Sequence, residues 1–391
     1  MGEQIADTAA VALRMADIEP FHVMALLAHA RELEAQGKSV IHMEIGEPDF
    51  ITPAPIIEAG IRALKEGRTH YTPAVGILQL RETIAGYYRS RYDIDVAPQR
   101  IVITPGASGA LQLLMGILIN PGDEVLMADP GYPCNRHFVR LFEGQAIGVP
   151  VDAANSYQLT PELVAKYCSV GTRAVLLASP SNPTGALVPE DHLREIGGLC
   201  QSRGIRLIVD EIYHGLVYDE KEISALGCIE DVFVVNSFSK YFGMTGWRVG
   251  WLVAPEVYIP HIDKMAQNIF LAPSTLAQHA ALAAFNSDTL EILDLRRDEF
   301  RRRRNFLLPV LQELGFSIPC TPQGAFYLYA GCRNFTDDSY TLAMQLLDEA
   351  GVAITPGRDF GHHDAEGHVR FAYTTSLPNL KEGVERLRKY L

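Results

Sequence analysis

Five apolar runs in the middle of this chain each end in residues that can do chemistry. Ile101–Ile103 is followed by Gly106-Ala107-Ser108, and Val125–Met127 by Asp129-Pro130-Gly131-Tyr132. Ala174–Ala178 leads into Ser179-Pro180-Ser181-Asn182-Pro183-Thr184-Gly185. Arg206–Val209 runs into Asp210-Glu211-Ile212-Tyr213, and Val232–Val235 into Ser237-Phe238-Ser239-Lys240. Ligands in an open α/β sheet bind beyond the carboxyl ends of its strands, so these groups would converge on one cleft. Gly106-Ala107-Ser108 also opens a helical stretch, where free N–H groups and a positive dipole end suit a phosphate. It is not a nucleotide P-loop, because no Gly-Lys-Ser/Thr follows, and no G-x-G-x-x-G follows the first strand. Taken singly, each feature has an ordinary structural explanation: an N-cap turn, an Asn-Pro turn, a core tyrosine, a surface lysine.

The elements that must position these groups follow from the pattern of the runs. Most lack polar alternation, as do strands buried on both faces, and Val249–Val253 adds a sixth. Helical stretches such as Ser108–Ile119 and Pro189–Arg203 lie between them. The alternation predicts an α/β fold: a mostly parallel sheet flanked by helices. The last hundred residues change character. Ser287–Leu314 reads as one long helix, with Asp288 and Glu291 as a capping box and Gly315 at its stop. Phe316–Ile318, Ala325–Tyr329, Val352–Thr355 and Val369–Tyr373 read as strands, with helices around Asp338–Glu349 and Asn379–Lys389. The expected division is a large domain over residues 47–286 and a smaller α+β domain over 287–391. Residues 1–46 would join the smaller domain through Val40–Glu44.

Bulk properties exclude several classes. With 391 residues, 48% hydrophobic and 21% charged, the chain is globular and long enough for two domains. A net charge of −13 argues against a nucleic-acid partner, which would need surplus Lys and Arg. Six scattered cysteines, with no CxxC pair, suit reduced thiols in a cytoplasmic enzyme. Met1–Pro20 lacks the basic start and apolar run of a secretory signal, and Ala6 spoils a myristoylation start at Met1-Gly2. The apolar stretch Ala110–Ile119 is too short for a bilayer, so no membrane role is expected. His362, His363 and His368 lie near Asp364 and Glu366 without rigid ligand spacing, so no metal is expected. Arg301–Arg304, beside Asp294, Asp298 and Glu299, reads as a solvated helix face.

Ser237-x-Ser239-Lys240 followed by Gly243-Met244-Thr245-Gly246-Trp247-Arg248-Val249-Gly250 resembles the cofactor-lysine signature of the class I/II aminotransferases, fold-type I pyridoxal-phosphate enzymes. Asn182-Pro183-Thr184-Gly185, Asp210-Glu211-x-Tyr213 and Gly46-Glu47-Pro48-Asp49-Phe50 match the same family in the expected order, and the likeness spans about residue 40 to the C-terminus. The resemblance implies that pyridoxal 5′-phosphate is the cofactor and that Lys240 forms an imine with its aldehyde and later shuttles a proton. Asp210 would face the pyridine nitrogen, while Tyr213 and Asn182 would bond the phenolate oxygen and Tyr132 would stack on the ring. Gly106, Ala107, Ser108, Ser237 and Arg248, with Ser239 as an addition, would hold the phosphate. Tyr71 would reach the phosphate site of a partner subunit, making the enzyme a homodimer with shared active sites. Arg370 and Gly46 would grip the substrate α-carboxylate with Asn182, and Phe326 either lines the side-chain pocket or is a core residue.

The implied reaction is ping-pong transfer of an amino group from an L-amino acid to a 2-oxo acid. A carbon–sulfur β-lyase or a relative of the aminocyclopropane-carboxylate synthases shares fold and lysine signature, so it is the competing reading. A cofactor-binding regulator is disfavoured, because only about forty residues, not basic, precede the Gly46 motif. No second arginine can be assigned from motif context to a distal carboxylate, so the substrate side chain is left open, with neutral or aromatic amino acids the broad expectation.

Overall fold

Successive residues of a strand point to opposite faces of its sheet, and here both faces are buried. Ile101, Ile103, Val175, Leu177, Leu207, Val209, Val232 and Val234 pack into one apolar cluster. Their neighbours Val102, Ala174, Leu176, Ile208, Phe233 and Val235 pack into another. That is the physical reason the runs show no polar alternation. The computed structural model describes residues 11–391; the readings at Met1-Gly2 and Ala6 lie outside them. The chain begins its strands with β1 (Ile41–His42). It then lays down β2 (Ile101–Thr104), β3 (Glu124–Asp129), β4 (Gln145–Pro150), β5 (Thr172–Ala178), β6 (Arg206–Asp210), β7 (Val232–Ser237) and β8 (Gly250–Val253). It ends with β9 (Tyr327–Gly331), β10 (Val352–Ala353), β11 (Thr355–Pro356) and β12 (His368–Ala372).

The central sheet has seven strands in the order β2-β8-β7-β6-β5-β3-β4. The pairs β3·β4, β3·β5, β5·β6 and β6·β7 are parallel, and β8 runs antiparallel to both β7 and β2. The carboxyl ends of β2 to β7 therefore share one edge, and so does the amino end of β8. The α/β fold with a mostly parallel sheet is the one expected. The reversal of β8 also brings Arg248, two residues before it, to the edge where the other polar groups gather. In the C-terminal third, β11, β12 and β9 form an antiparallel sheet, and β1 pairs in parallel with β10.

Several local expectations need correction. The long helix is Ser287–Glu313, but its N-cap is Asn286, and no side-chain cap bond forms. Asp288 sits within the first turn, where it meets the helix dipole without closing a capping box. Phe316–Ile318 contributes only an isolated bridge, Ser317 to Gly331. Val352–Thr355 is broken at Ile354 into β10 and β11, which join different sheets. Strand β4 escaped notice because Gly148 and Pro150 dilute its pattern and it lies at the sheet edge, partly exposed. The basic run divides: Arg302 is exposed, whereas Arg303 and Arg304 are buried. Arg303 donates to Asp49, Glu299 and the carbonyl of Thr374, and Arg304 to Asp219 and the carbonyl of Pro322. Buried guanidinium groups demand such partners. Among the described residues, no helix is long and apolar enough to cross a membrane.

The helix His22–Ala35 has no cap of its own, since Phe21 stands at its N-cap. The buried carboxylate of Asp359 accepts from the backbone N–H of His22 (2.9 Å) and Val23 (2.8 Å) instead. Replacing Asp359 with Ala should speed amide exchange across residues 22–27 by the loss of roughly 1–2 kcal/mol of local stability. Exchange in β5 to β7 should stay slow; equal protection of residues 22–27 in both proteins would contradict this role.

Candidate active site

A cavity of about 540 Å³ opens beyond the shared strand edge, a size typical of small-molecule sites. Its floor holds Lys240, three residues past β7, and Asp210, the last residue of β6. Lys240 Nζ donates to the carbonyl of Gly46 (2.7 Å). Burial, and then the neighbouring Arg370 guanidinium, pull its pKa down to about 8. Asp210 is 5% exposed, and burial lifts its carboxyl to about 7. It accepts one hydrogen bond, from the N–H of Ile212 (3.1 Å), and enters no ion pair among the described residues. Burying a carboxylate without a cation is costly, so this acid awaits a positively charged partner.

One wall is built for an anion. Ala107 and Ser108 line it at the first turn of the helix Gly106–Leu118, with Ser237, Ser239 and Arg248. Gly106 has φ +69°, and a Cβ there would lie 2.7 Å from the Arg248 guanidinium. A Cβ on Gly250 would come within 2.9 Å of Gly106 and 3.0 Å of the Ala107 nitrogen, so close approach of β8 to this turn requires glycine. Ser237 Oγ donates to Ser239 Oγ (3.0 Å), and Arg248, itself at φ +53°, donates to the carbonyl of Thr245 (3.1 Å). Backbone N–H groups, hydroxyls and a guanidinium form a donor set suited to phosphate.

Across the cavity stands Arg370, on β12 and 3% exposed. Its Nη1 donates to Asn182 Oδ1 (2.9 Å) and its Nη2 to the carbonyl of Glu44 (2.5 Å), while Nε is buried without a partner among the described residues. The rings of Tyr327 and Phe360 lie 4.2 and 4.8 Å from the guanidinium. Such a fixed, partly unsatisfied fork suits a carboxylate. Tyr132 and Asn182 also line the cavity, and the Tyr213 and Tyr327 hydroxyls meet at 2.9 Å. Burial raises the Tyr213 phenol well above its usual range.

Gly46, Ala107, Ser108, Tyr132, Asn182, Asp210, Tyr213, Ser237, Arg248 and Arg370 thus come together around Lys240, with Gly106 packed behind Arg248. Tyr71 does not join them; its side chain is 83% exposed and does not line the cavity of its own chain. Phe326 is fully buried, edge-on to Tyr213 at 5.4 Å, and Tyr327 lines the cavity instead. Phe326 precedes β9 and also lies beside the site, its ring 4.9 Å from that of Tyr327 and 5.8 Å from Lys240 Nζ. A Cβ on Gly46 would fall 1.9 Å from the Tyr327 hydroxyl, which explains the glycine. His362 and His363 donate their backbone N–H groups to Asp129, and His368 stacks on Tyr329 at 4.6 Å. Phe21, Val23, Met24, Leu27 and Arg31, which sequence reasoning passed over, form a further wall of the cavity.

The family model described as aminotransferase class I and II matches residues 38–387. The (5-formylfuran-3-yl)methyl phosphate transaminase of Methanocaldococcus jannaschii is 39% identical over 381 residues, covering 97% of this chain and 98% of that protein. The valine–pyruvate aminotransferase of Mycobacterium tuberculosis is 36% identical over 383 residues, with the same coverage. The solved structure of the aspartate aminotransferase from Thermus thermophilus with maleate superposes with a TM-score of 0.92 at 34% identity, covering 98% of this chain and 100% of that one. A matching family model over most of the chain, and relatives this similar along their whole length, make the chain a member of the class I and II aminotransferases, enzymes that transfer amino groups.

Proposed function

We propose that the cavity holds pyridoxal 5′-phosphate and that the enzyme moves an amino group from an L-amino acid to a 2-oxo acid in two half-reactions. The observation that carries this reading is one cavity in which a depressed lysine amine, an unpaired buried acid and a phosphate-type cradle face the same space. Bound there, the cofactor would supply an aldehyde for the amine and a protonated ring that withdraws electrons from the substrate Cα. Asp210 would hold the ring nitrogen's proton, and that cation would in turn return Asp210 to its ionised form. Ala107, Ser108, Ser237 and Arg248 would bind the phosphate, and Tyr132 would cover the ring face. Tyr213 and Asn182 would donate to the phenolate oxygen.

Arg370 fixes the substrate α-carboxylate, filling the donor capacity now unused at Nε, and Gly46 lets the backbone approach it. With its amine free, Lys240 would take the proton from the substrate Cα. A pKa near 8 lets the amine accept that proton and give it up again at neutral pH. Because amino acid and 2-oxo acid carry the same α-carboxylate, one grip serves both half-reactions.

The division into a cofactor-binding unit over 47–286 and a smaller unit of 1–46 with 287–391 is part of the same proposal, as is a cytoplasmic home, which six unpaired cysteines favour. So is a homodimer in which Tyr71 enters the partner's phosphate site. It is supported by the exposure of Tyr71 together with Ile51, Ile61, Leu64 and Leu78 on the flanking segments. The named relatives act on side chains as different as valine and aspartate, so likeness alone leaves the donor open.

Four outcomes test this reading. In Lys240→Ala, turnover should fall by at least about a thousandfold, since the variant lacks both covalent anchor and proton carrier. With wild type, an amino acid alone should convert the cofactor's absorbance to that of its amine form, and a 2-oxo acid should restore it. Release of ammonia or sulfide without that cycle would point to a lyase instead. The rate of aldehyde capture by apo-protein should rise with pH and level off above about 8, because the neutral amine is the nucleophile. A rate still climbing at pH 10 would mean the amine is not desolvated. Tyr71→Phe should weaken cofactor binding in a dimer seen by sedimentation; a monomer with full activity would refute the shared site.

A further inference from the structure

Tyr71 stands exposed, away from the cavity of its own chain, yet the backbone on both sides of it is tied down. Thr275 Oγ1 donates to the carbonyl of His70 (2.7 Å), and Gln278 Nε2 donates to Thr72 Oγ1 (3.1 Å). Gln278 Oε1 accepts from the N–H of Ile77 (2.8 Å), which stands at the N-cap of the helix Leu78–Tyr92. A Glu or Gln inside the first turn of a helix can bond that N–H in a capping box. Here Gln278 does so from a segment two hundred residues away.

Gln278 is fully buried, and its amide also donates to the carbonyl of Pro273 (3.2 Å). Only one orientation serves, because a flipped amide would set N–H against the N–H of Ile77 and carbonyl against the carbonyl of Pro273. The Ile103 N–H donates to the carbonyl of Val75 (3.0 Å), which fastens the same segment to β2. Gly76, at φ +89°, permits this closeness, since a Cβ there would lie 2.3 Å from Ile103 and 2.9 Å from Gln278 Oε1. A satisfied buried amide rigidifies what it bonds. What it makes rigid here is a surface segment whose tyrosine points away from the chain's own site.

We infer that Gln278, assisted by Thr275, is a positioning residue for the site of the neighbouring subunit: it fixes how Tyr71 leaves this chain to reach the cofactor phosphate bound there. This rests on the shared site proposed above and adds the device that aims its tyrosine. Neither Gln278 nor Thr275 lines the cavity of its own chain, so a change at either acts across the dimer.

Hybrid dimers separate the two directions. One chain carries Lys240→Ala, so only the other can hold pyridoxal 5′-phosphate through its lysine, and the absorbance of that linkage is followed as cofactor is titrated. Gln278→Met in the Lys240→Ala chain, whose Tyr71 serves the intact site, should raise the half-saturating cofactor concentration by about tenfold. The same change in the chain with the intact lysine should leave it within about twofold, a contrast that general destabilisation would not produce. Thr275→Val, which removes only the tie to His70, should give the same asymmetry at smaller size, and it replaces Gln278→Met should that variant not fold. Equal effects in the two arrangements, or an effect confined to the substituted chain's own site, would overturn the inference. Tyr71→Phe is the control. If it acts on its own chain's site or has no effect, the shared site fails and this inference with it. If it acts across the dimer while Gln278→Met and Thr275→Val do not, only the positioning role fails.

Discussion

Desolvation of two opposite charges at one strand edge is the constraint on which the account depends. Lys240 and Asp210 each sit where water is scarce, and neither enters an ion pair among the described residues; the more distant opposite charges only partly offset burial. Their shifts, down to about 8 for the amine and up to about 7 for the acid, correspond to roughly 3–4 kcal/mol each against the charged form. A ligand that removes the charge from the amine by condensing with it, and offers a cation to the acid, relieves both. The site is therefore preorganised for one chemical type of guest.

The fold supplies this arrangement through strand direction. Parallel strands deliver their carboxyl ends to one edge, and the single reversed strand β8 adds its amino end there. Gly250, between Thr104 and Ser237 in the ladder, lets the Gly106-Ala107 turn and the Arg248 segment approach closely. The C-terminal sheet contributes Arg370 from β12, anchored to the backbone at Glu44 and to Asn182. The space between Lys240 and Arg370 is thus lined from two sheets. The same span explains why Gly46 must lack a side chain: its carbonyl faces the amine, and Tyr327 fills the space where a Cβ would stand.

Much of this was legible in the sequence because it depends on local order: apolar runs, the polar groups that follow them, and spacings within a few residues. The sheet, the long helix to Glu313 and the gathering of Asn182, Asp210, Tyr213 and Lys240 all follow from such signals. What was not legible depends on contacts between distant segments. Burial of Arg303 and Arg304 is set by Asp49 and Asp219, more than eighty residues away. That Tyr327 lines the cavity while Phe326 packs edge-on to Tyr213 is decided by a segment more than a hundred residues away. The wall bearing Met24, Leu27 and Arg31 was hidden because the helix His22–Ala35 is placed by Asp359, 336 residues beyond Val23. A short polar cap tells a reader of sequence nothing about so remote a partner.

The central claim, that the amine at position 240 is the group that captures the cofactor aldehyde, is tested most directly by chemical trapping. Purified protein is mixed with pyridoxal 5′-phosphate, reduced with borohydride, digested and mapped by mass spectrometry. The account predicts one phosphopyridoxyl group per chain, on the peptide containing Lys240. A label spread over surface lysines, or absent from that peptide, would contradict it.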